Sequence, residues 1–164
     1  MGSGKTTIGI KIAELTGRRW YDTDGVIVDR YGKISDIFEY YGEAHFRRLE
    51  TQIVQELSQK DDLIISTGGG LVLKKENNAL LQQNGKIVFL RASLETLASR
   101  LKVDGTRPLL QSSTEGIKTR LENLLKERSP IYERVSDCVV DVDHKSVENI
   151  AKEIIDLIET DKIR

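Results

Sequence analysis

Near the amino terminus, Gly2-Ser3-Gly4-Lys5-Thr6-Thr7 combines glycines, hydroxyls and a cation in the order of a phosphate-binding loop. Glycines allow backbone N–H groups to turn toward phosphate oxygens, where a Cβ would obstruct them. We expect Lys5 to reach the β- and γ-phosphates of a nucleotide and the Thr6 hydroxyl to ligate Mg²⁺. The following helix would direct its positive dipole end at the same anion. The alternative is a chance Gly-Ser-Gly-Lys sequence in a flexible terminus.

Only the second half of the motif G-x-x-x-x-G-K-[ST] is present in this loop. Its first glycine, and the strand that feeds such a loop, would lie before Met1. We therefore expect the natural protein to begin upstream of Met1 with a hydrophobic strand, and the sheet to lack its central first strand. Such a loss exposes unpaired backbone edges, so the chain as written is expected to be unstable or to aggregate.

Two aspartates follow a short strand-like segment, where their carboxylates could face a ligand. Asp22 could hold Mg²⁺ through water, and Asp24 could accept a proton from a substrate hydroxyl. An Asx turn or a helix N-cap explains the same residues equally well. Both interpretations remain open on the sequence.

Glu43, Arg47 and Glu50 have i,i+4 and i,i+3 spacings on a predicted helix. These spacings are typical of surface ion pairs, which is the simpler interpretation. The functional alternative makes Arg47 a fork for a substrate carboxylate, with Glu50 fixing its rotamer.

Three consecutive glycines, Gly68-Gly69-Gly70, directly follow an apolar segment. Each costs roughly 0.5–1 kcal/mol relative to alanine in regular structure, so we expect a close approach of backbone to a ligand there. Arg107 lies in a polar segment, about residues 102–114, that resembles a mobile lid able to bring a cation onto a phosphoryl group. Arg128 lies just before Pro130, which should break or kink its helix. Taken alone, each arginine is better explained as a solvated surface charge.

The elements that must position these residues alternate between short apolar strands and amphipathic helices. This pattern predicts an α/β fold of three layers, with a parallel sheet and helices on both faces. Ligands bind beyond the carboxyl ends of strands in such sheets. Strands are predicted at Arg19–Asp22, Leu63–Thr67, Lys86–Leu90 and Cys138–Val142. The chain should form one domain, 1–164, with a helical insertion at about 24–57.

Composition excludes several classes of function. A net charge of -1 gives no basic footprint for nucleic acid or for a membrane surface. The single cysteine, Cys138, cannot form an intrachain disulfide, so we expect a reducing compartment and a cytoplasmic location. A plastid location would follow if a targeting segment preceded Met1. We expect a monomer.

Six motifs in order resemble the shikimate kinase family over essentially the whole chain. They are Gly-Ser-Gly-Lys-Thr, Asp22-Thr23-Asp24, Gly-Glu-x-x-Phe-Arg-x-x-Glu, Ser-Thr-Gly-Gly-Gly, Arg-Pro-Leu and Arg-x-Pro-x-Tyr. Each motif is weak alone, but six in order are very specific. The resemblance implies a P-loop kinase fold of the nucleoside monophosphate kinase type. It also implies transfer of the ATP γ-phosphoryl group to the 3-hydroxyl of shikimate, on the route to chorismate and aromatic amino acids.

The resemblance also implies roles for individual residues. Asp24, Arg47, Arg128 and the loop Gly68-Gly69-Gly70 resemble the family's shikimate contacts. The loop from Gly2 to Thr7 resembles its ATP-binding loop, with Lys5 and Arg107 as phosphate-stabilising cations. Thr6 and Asp22 resemble its magnesium environment, and Arg100 resembles an arginine that packs on adenine.

Two rival functions remain. Gluconate kinase shares the fold, but it lacks the pairing of Phe-Arg-x-x-Glu with a triple glycine after a strand. A non-catalytic relative that binds shikimate without turning over ATP is the other rival, because the first strand is absent. The presence of Lys5, Asp24, Arg47 and Arg107 argues against the second rival.

Overall fold

The computed structural model describes residues 2–103 and 114–161. The helices are α1 Lys5–Thr16, α2 Thr23–Tyr31, α3 Ile34–Tyr41, α4 Glu43–Leu57, α5 Lys75–Asn84, α6 Leu94–Val103, α7 Thr114–Val135 and α8 Val147–Asp161. The strands are β1 Arg19–Asp22, β2 Leu63–Ser66, β3 Val88–Arg91 and β4 Cys138–Asp141, and a 3₁₀ turn spans Leu71–Leu73. Predicted and observed strands agree to within two residues at each end.

The strands form two parallel pairs. β1 pairs with β2, from Arg19 opposite Leu63 onward. β3 pairs with β4, from Val88 opposite Cys138 onward. Within the described residues, β2 and β3 are not hydrogen-bonded to each other, so the sheet is divided into two halves.

Helices cover both halves of the sheet with apolar side chains. α1 and α8 pack with β3 and β4 through a cluster that includes Ile8, Ile12, Ile150 and Ile154. Phe46, Leu49, Ile53 and Leu57 recur at helical spacing in the sequence, which predicts one apolar face; α4 presents this face to the β1–β2 side, and all four residues are buried. The same spacing predicts burial of Leu15, Val147 and Leu157, but these three residues are exposed.

The start of α1 is fixed against the end of β2. The Ser66 hydroxyl donates to the Lys5 carbonyl oxygen at 3.0 Å, and Trp20 Nε1 donates to the Ser66 hydroxyl at 3.0 Å. A Cβ on Gly9 would lie 2.5 Å from Ser66 Oγ and 2.7 Å from Trp20 Nε1. A glycine is therefore required on this face of α1, and the phosphate-binding loop is held at the carboxyl edge of the sheet.

Three helices, α2 to α4, connect β1 to β2 along the chain, although the two strands are neighbours in the sheet. Arg30 on α2 donates two hydrogen bonds to Glu56 on α4, at 2.6 and 3.0 Å, which ties the helices together. Gly42, with φ of +80°, ends α3 and leads directly into α4. This arrangement places the face of α4 that carries Arg47 near the ends of β1 and β2.

Two expectations need correction. α7 continues through Pro130 to Val135, so of the two predicted outcomes, a break or a kink, the break is wrong. Proline removes only one helical N–H, and Tyr132 and Val135 beyond it pack on Val54, Leu71 and Val72, which stabilises the last turn. The predicted lid lies almost entirely outside the described residues, and so does Arg107. Among the described helices, no segment is both long and apolar enough to cross a bilayer.

Candidate active site

The phosphate-binding loop is built from glycines in conformations that other residues rarely adopt. Gly2 has φ of +74° and Gly4 has φ of +90°. Gly4 is the N-cap of α1, which begins at Lys5. The first backbone N–H groups of α1 are therefore available to an anion beside the loop. Thr7 lies in this first turn and is exposed.

Side chains around the loop support this geometry. The Arg100 guanidinium donates to the Gly2 carbonyl oxygen at 3.1 Å, so α6 holds the outer part of the loop. Lys5 Nζ lies 3.5 Å from Ser3 Oγ, and Ser3 is buried. The packing of Arg100 on adenine, which the resemblance implies, stays a prediction.

Asp22 joins the phosphate-binding loop to the insertion helices. Its Oδ1 accepts hydrogen bonds from the backbone N–H groups of Asp24 and Gly25, at 3.0 and 3.1 Å, and so caps α2. Its Oδ2 accepts a hydrogen bond from the Thr6 hydroxyl at 2.9 Å. The capping interpretation is thus correct, and the second carboxylate oxygen still faces the loop. A hydroxyl and a carboxylate are the hard oxygen ligands that Mg²⁺ takes beside substrate phosphates, so this pair fits that ion.

The glycine loop after β2 lies against the Asp24 carboxylate. The Gly68 N–H donates to the Thr23 hydroxyl at 3.0 Å. A Cβ on Gly68 would lie 2.7 Å from Asp24 Oδ1 and 3.3 Å from Glu50 Oε1. Glycine at this position therefore allows two carboxylates to approach the loop backbone.

Arg47 lies against the same loop and is held by two carboxylates. Its Nη1 donates to Glu50 at 2.7 Å, and its Nη2 donates to Glu43 at 3.1 Å. A Cβ on Gly70 would lie 2.5 Å from Arg47 Nη1, so the guanidinium packs on the loop backbone. The Arg47 side chain is 31% exposed, while the Glu50 side chain is 1% exposed. The helix spacing thus produces a partly buried ion pair and not only a surface one.

Burial and charge act in opposite directions in this pair. The pKa of Glu50 is raised, chiefly by burial, and the charges of Asp24 and Glu43 add to this rise while the hydrogen bond and charge of Arg47 oppose it. For Arg47, burial lowers the pKa, but the hydrogen bonds and charges of Glu50 and Glu43 outweigh it, and the pKa is raised. Arg47 is therefore a permanent cation in a fixed orientation, with its side chain partly exposed.

α7 contributes two side chains on one face, since Arg128 and Tyr132 have i,i+4 spacing. The Tyr132 hydroxyl donates to the Gly69 carbonyl oxygen at 2.6 Å. The Nε atom of Arg128 is buried, and within the described residues it has no hydrogen-bond partner. A buried guanidinium nitrogen without a partner suits an anionic ligand.

The predicted site residues form two groups. One set surrounds the predicted phosphate-binding loop and contains Gly2 to Thr6, Asp22 and Arg100. The other set surrounds the glycine loop after β2, where we expect the substrate, and contains Asp24, Arg47 and Gly68 to Gly70. Arg107 lies outside the described residues. Sequence reasoning gave no role to Thr23 or Tyr132, although Tyr132 belongs to the Arg-x-Pro-x-Tyr motif. It treated Glu50 only as a support for Arg47, and nothing in the sequence showed how deeply Glu50 is buried.

Comparisons with known proteins agree with this geometry. The family model described as shikimate kinase matches residues 1–159. The shikimate kinase of Histophilus somni is 42% identical over 164 residues, covering 99% of this chain and 93% of that relative. A solved structure of shikimate kinase from Acinetobacter baumannii in complex with shikimate superposes with a TM-score of 0.90 at 37% identity, covering 100% of this chain and 91% of that one.

A gluconokinase from Sinorhizobium meliloti has a TM-score of 0.63 at 22% identity, covering 99% of this chain and 91% of that one. That likeness shows a common fold and no more. The family match, the identity with curated relatives and the superposition converge on one assignment. This chain belongs to the shikimate kinase family of ATP-dependent kinases.

Proposed function

We propose that this protein transfers the γ-phosphoryl group of ATP to the 3-hydroxyl of shikimate, giving shikimate 3-phosphate and ADP. The observation that carries the proposal is the fixed cation Arg47, which lies on the glycine loop beside the Asp24 carboxylate. Shikimate carries one carboxylate and several hydroxyls. A guanidinium fork and a carboxylate acceptor complement those groups in type and number.

Recognition of the substrate carboxylate is assigned to Arg47 and Arg128. Arg47 is oriented by the buried Glu50, so little side-chain entropy is lost when it binds an anion. Arg128 supports this role because its Nε is buried with no partner among the described residues. A bound carboxylate would supply that partner.

Asp24 is assigned the role of accepting the proton from the reacting hydroxyl. Its Oδ1 would lie 2.7 Å from a Cβ at Gly68, so it is held close to the loop and cannot move toward it. The transition state of phosphoryl transfer is loose, with most of the charge on the transferring group. Positioning of the hydroxyl by Asp24 therefore matters more than a high basicity of that carboxylate.

The phosphate side of the reaction is assigned to the loop from Gly2 to Thr7. Lys5 and the N–H groups at the start of α1 would bind the β- and γ-phosphates. Thr6 and Asp22 would hold Mg²⁺, which neutralises charge on the phosphate oxygens. Arg107 is proposed to add a cation during transfer, and Arg100, which lies beside the loop, is proposed to pack on adenine.

We also propose that the protein works as a cytoplasmic monomer on small molecules, without nucleic acid or membrane partners. A net charge of -1 on 164 residues gives little attraction to polyanions or anionic lipid surfaces.

The experiment that tests the proposal compares acceptors by initial rates of ADP release. Shikimate, its methyl ester, gluconate and buffer alone are supplied at equal concentrations with ATP and Mg²⁺. We expect release to depend on shikimate, and the ester to bind at least about tenfold more weakly because it lacks the charge that Arg47 pairs with. Equal rates with shikimate and its ester would refute the carboxylate assignment. Binding of shikimate without ADP release would establish the binding-only rival.

A further inference from the structure

The hydroxyl of Ser66 connects the phosphate-binding loop to the end of β2. Ser66 is the last residue of β2 and is 5% exposed. Its Oγ lies 3.0 Å from the Lys5 carbonyl oxygen and 3.0 Å from Trp20 Nε1. The glycine loop after β2 begins two residues later, at Gly68. Ser66 therefore lies between the loop expected to bind ATP and the loop expected to bind the acceptor.

The chemistry of the two partners fixes the direction of both hydrogen bonds. An indole N–H can only donate, and a carbonyl oxygen can only accept. Trp20 must therefore donate to the Ser66 hydroxyl, and the one proton of that hydroxyl must point at the Lys5 carbonyl. A serine hydroxyl rotates freely to suit its surroundings when no such donor constrains it. Trp20 thus selects the orientation in which Ser66 holds Lys5.

The backbone of α1 packs directly on this pair of hydrogen bonds. A Cβ on Gly9 would lie 2.5 Å from Ser66 Oγ and 2.7 Å from Trp20 Nε1, which is too close for either atom to stay in place. Gly9 is four residues after Lys5 and so lies one turn further along the same face of the helix. The missing side chain at Gly9 leaves the space in which the Ser66 hydroxyl reaches the Lys5 carbonyl.

Ser66 and its strand partner hold consecutive residues of the phosphate-binding loop. Asp22 lies opposite Ser66 in the parallel pairing of β1 with β2. The Asp22 carboxylate accepts a hydrogen bond from the Thr6 hydroxyl at 2.9 Å, while Ser66 donates to the carbonyl of Lys5. Two neighbouring strand ends therefore fix the main chain at the residue whose ammonium group is expected to reach the β- and γ-phosphates of ATP.

We propose that Ser66 is a positioning residue of the ATP site, and that Trp20 holds its hydroxyl in the orientation that this role requires. Ser66 acts through the carbonyl of Lys5 and needs no contact with a phosphate. Without the hydroxyl, the Trp20 N–H loses its acceptor and the Lys5 main chain loses its donor. Lys5 then has more freedom to lose when it binds ATP. The inference rests on the proposed assignment of the phosphate-binding loop to ATP and is independent of the acceptor.

Calorimetric titration of Ser66→Ala with ATP and with AMP, in the presence of Mg²⁺ and without an acceptor, tests the proposal. ATP should bind roughly 5- to 10-fold more weakly than to the unmutated chain, because an orienting hydrogen bond is lost. AMP lacks the two phosphates that Lys5 is expected to reach, so its Kd should change by less than about twofold. Trp20→Phe keeps the Ser66 hydroxyl but removes its donor, and should weaken ATP binding by about threefold.

Ser58→Ala is the matched control. Ser58 directly follows α4 and is 6% exposed, and its hydroxyl also donates to a backbone carbonyl, that of Gln55 at 3.1 Å. Both serine replacements should lower Tm, but only Ser66→Ala should change the affinity for ATP. A purely structural role of Ser66 would instead give the two variants the same unchanged Kd.

The chain contains a single tryptophan, so one indole ¹H–¹⁵N signal reports on the hydrogen bond between Trp20 and Ser66. That signal should move upfield in Ser66→Ala and stay in place in Ser58→Ala. An indole signal that does not move in Ser66→Ala, an unchanged Kd of ATP, or equal weakening of ATP and AMP would overturn the proposal. The predicted loss of ATP affinity in a chain that does not phosphorylate shikimate would support the proposal and refute only the proposed acceptor.

Discussion

Replacing Arg47 by alanine should weaken shikimate binding and leave ATP binding little changed. Truncating one partner of a hydrogen-bonded charge pair costs roughly 2–5 kcal/mol when the pair is desolvated. Because the Arg47 side chain is 31% exposed, solvent screens part of that contact, and we expect the lower part of the range. About 2–3 kcal/mol corresponds to a rise of roughly 30- to 150-fold in the Kd of shikimate.

The same replacement should destabilise the fold in a manner that depends on pH. Glu50 is 1% exposed and would lose the cation that donates to it at 2.7 Å. The stability lost by leaving Glu50 charged and unpaired has an upper limit, because the buried carboxyl can bind a proton and become neutral. At pH 7 this protonation costs about 4 kcal/mol for an unfolded-state pKa near 4.3. At pH 5 the same limit falls to about 1 kcal/mol.

The sign follows from the raised pKa of Glu50, which burial already causes with Arg47 present. Without Arg47 that pKa rises further, so the folded variant binds a proton that the unfolded chain releases. The variant should therefore lose stability as pH rises from about 5 to 7, relative to the unmutated chain.

Calorimetric titration with both ligands and urea unfolding at pH 5 and pH 7 measure these effects. Arg48→Ala is the matched control, because Arg48 is the next residue on α4, is exposed and has its side chain within hydrogen-bond distance of His45. It should change stability by less than about 0.5 kcal/mol. Equal losses of affinity for shikimate and ATP, or a destabilisation that does not depend on pH, would refute the reasoning.

Three further replacements test separate parts of the site. Gly68→Ala would place a Cβ 2.7 Å from Asp24 Oδ1 and should lower kcat by up to about 100-fold. Gly25→Ala is the control, because its Cβ would lie 3.5 Å from the nearest atom and should leave kcat unchanged. Equal kcat values for the two variants would exclude the close packing of Asp24 on Gly68. Tyr132→Phe removes the donor to the Gly69 carbonyl oxygen and should raise the KM of shikimate about fivefold with little effect on that of ATP, which steady-state kinetics can decide. Arg107→Ala should lower kcat far more than substrate affinity, with partial rescue by lysine, and a change confined to the KM of ATP would contradict a role in transfer.

Motifs with local geometry could be predicted from the sequence. The strand Arg19–Asp22 was predicted at its observed bounds, and the apolar face of α4 is buried as its periodicity indicated. The sequence leaves two interpretations of Asp22 open, a helix cap and a part of a magnesium site. In the structure one carboxylate oxygen caps α2 and the other accepts a hydrogen bond from Thr6, so a cap and a contact with the phosphate-binding loop coexist. Such features depend on residues near one another in the chain or on a spacing that one element fixes.

Features that depend on distant partners could not be predicted. The hydroxyl of Tyr132 donates to a carbonyl 63 residues earlier in the chain, and no pattern around Tyr132 indicates that contact. The 3₁₀ turn after the glycine loop was also missed. It is held by the side-chain amides of Asn77 and Asn78, which donate to the carbonyls of Leu71 and Val72 at 2.8 Å. Local propensity carries no signal for such bonds.

The continuation of α7 through Pro130 has the same cause. Proline predicts a break from local sterics, but packing of Tyr132 on elements far away in sequence stabilises the turn beyond it. Leu15, near the end of α1, fits the apolar spacing of the helix but is exposed. Helical spacing alone does not indicate how far along the helix neighbouring elements pack against it.

Identification of the phosphorylated product tests the central claim most directly. ATP, Mg²⁺ and shikimate are incubated with the protein, whose folded state is first verified by a cooperative melt. We predict one new phosphate monoester on the 3-hydroxyl of shikimate by ³¹P and ¹H NMR, formed in equal amount to ADP. ADP formed without that ester, or an ester on gluconate in preference to shikimate, would contradict the account.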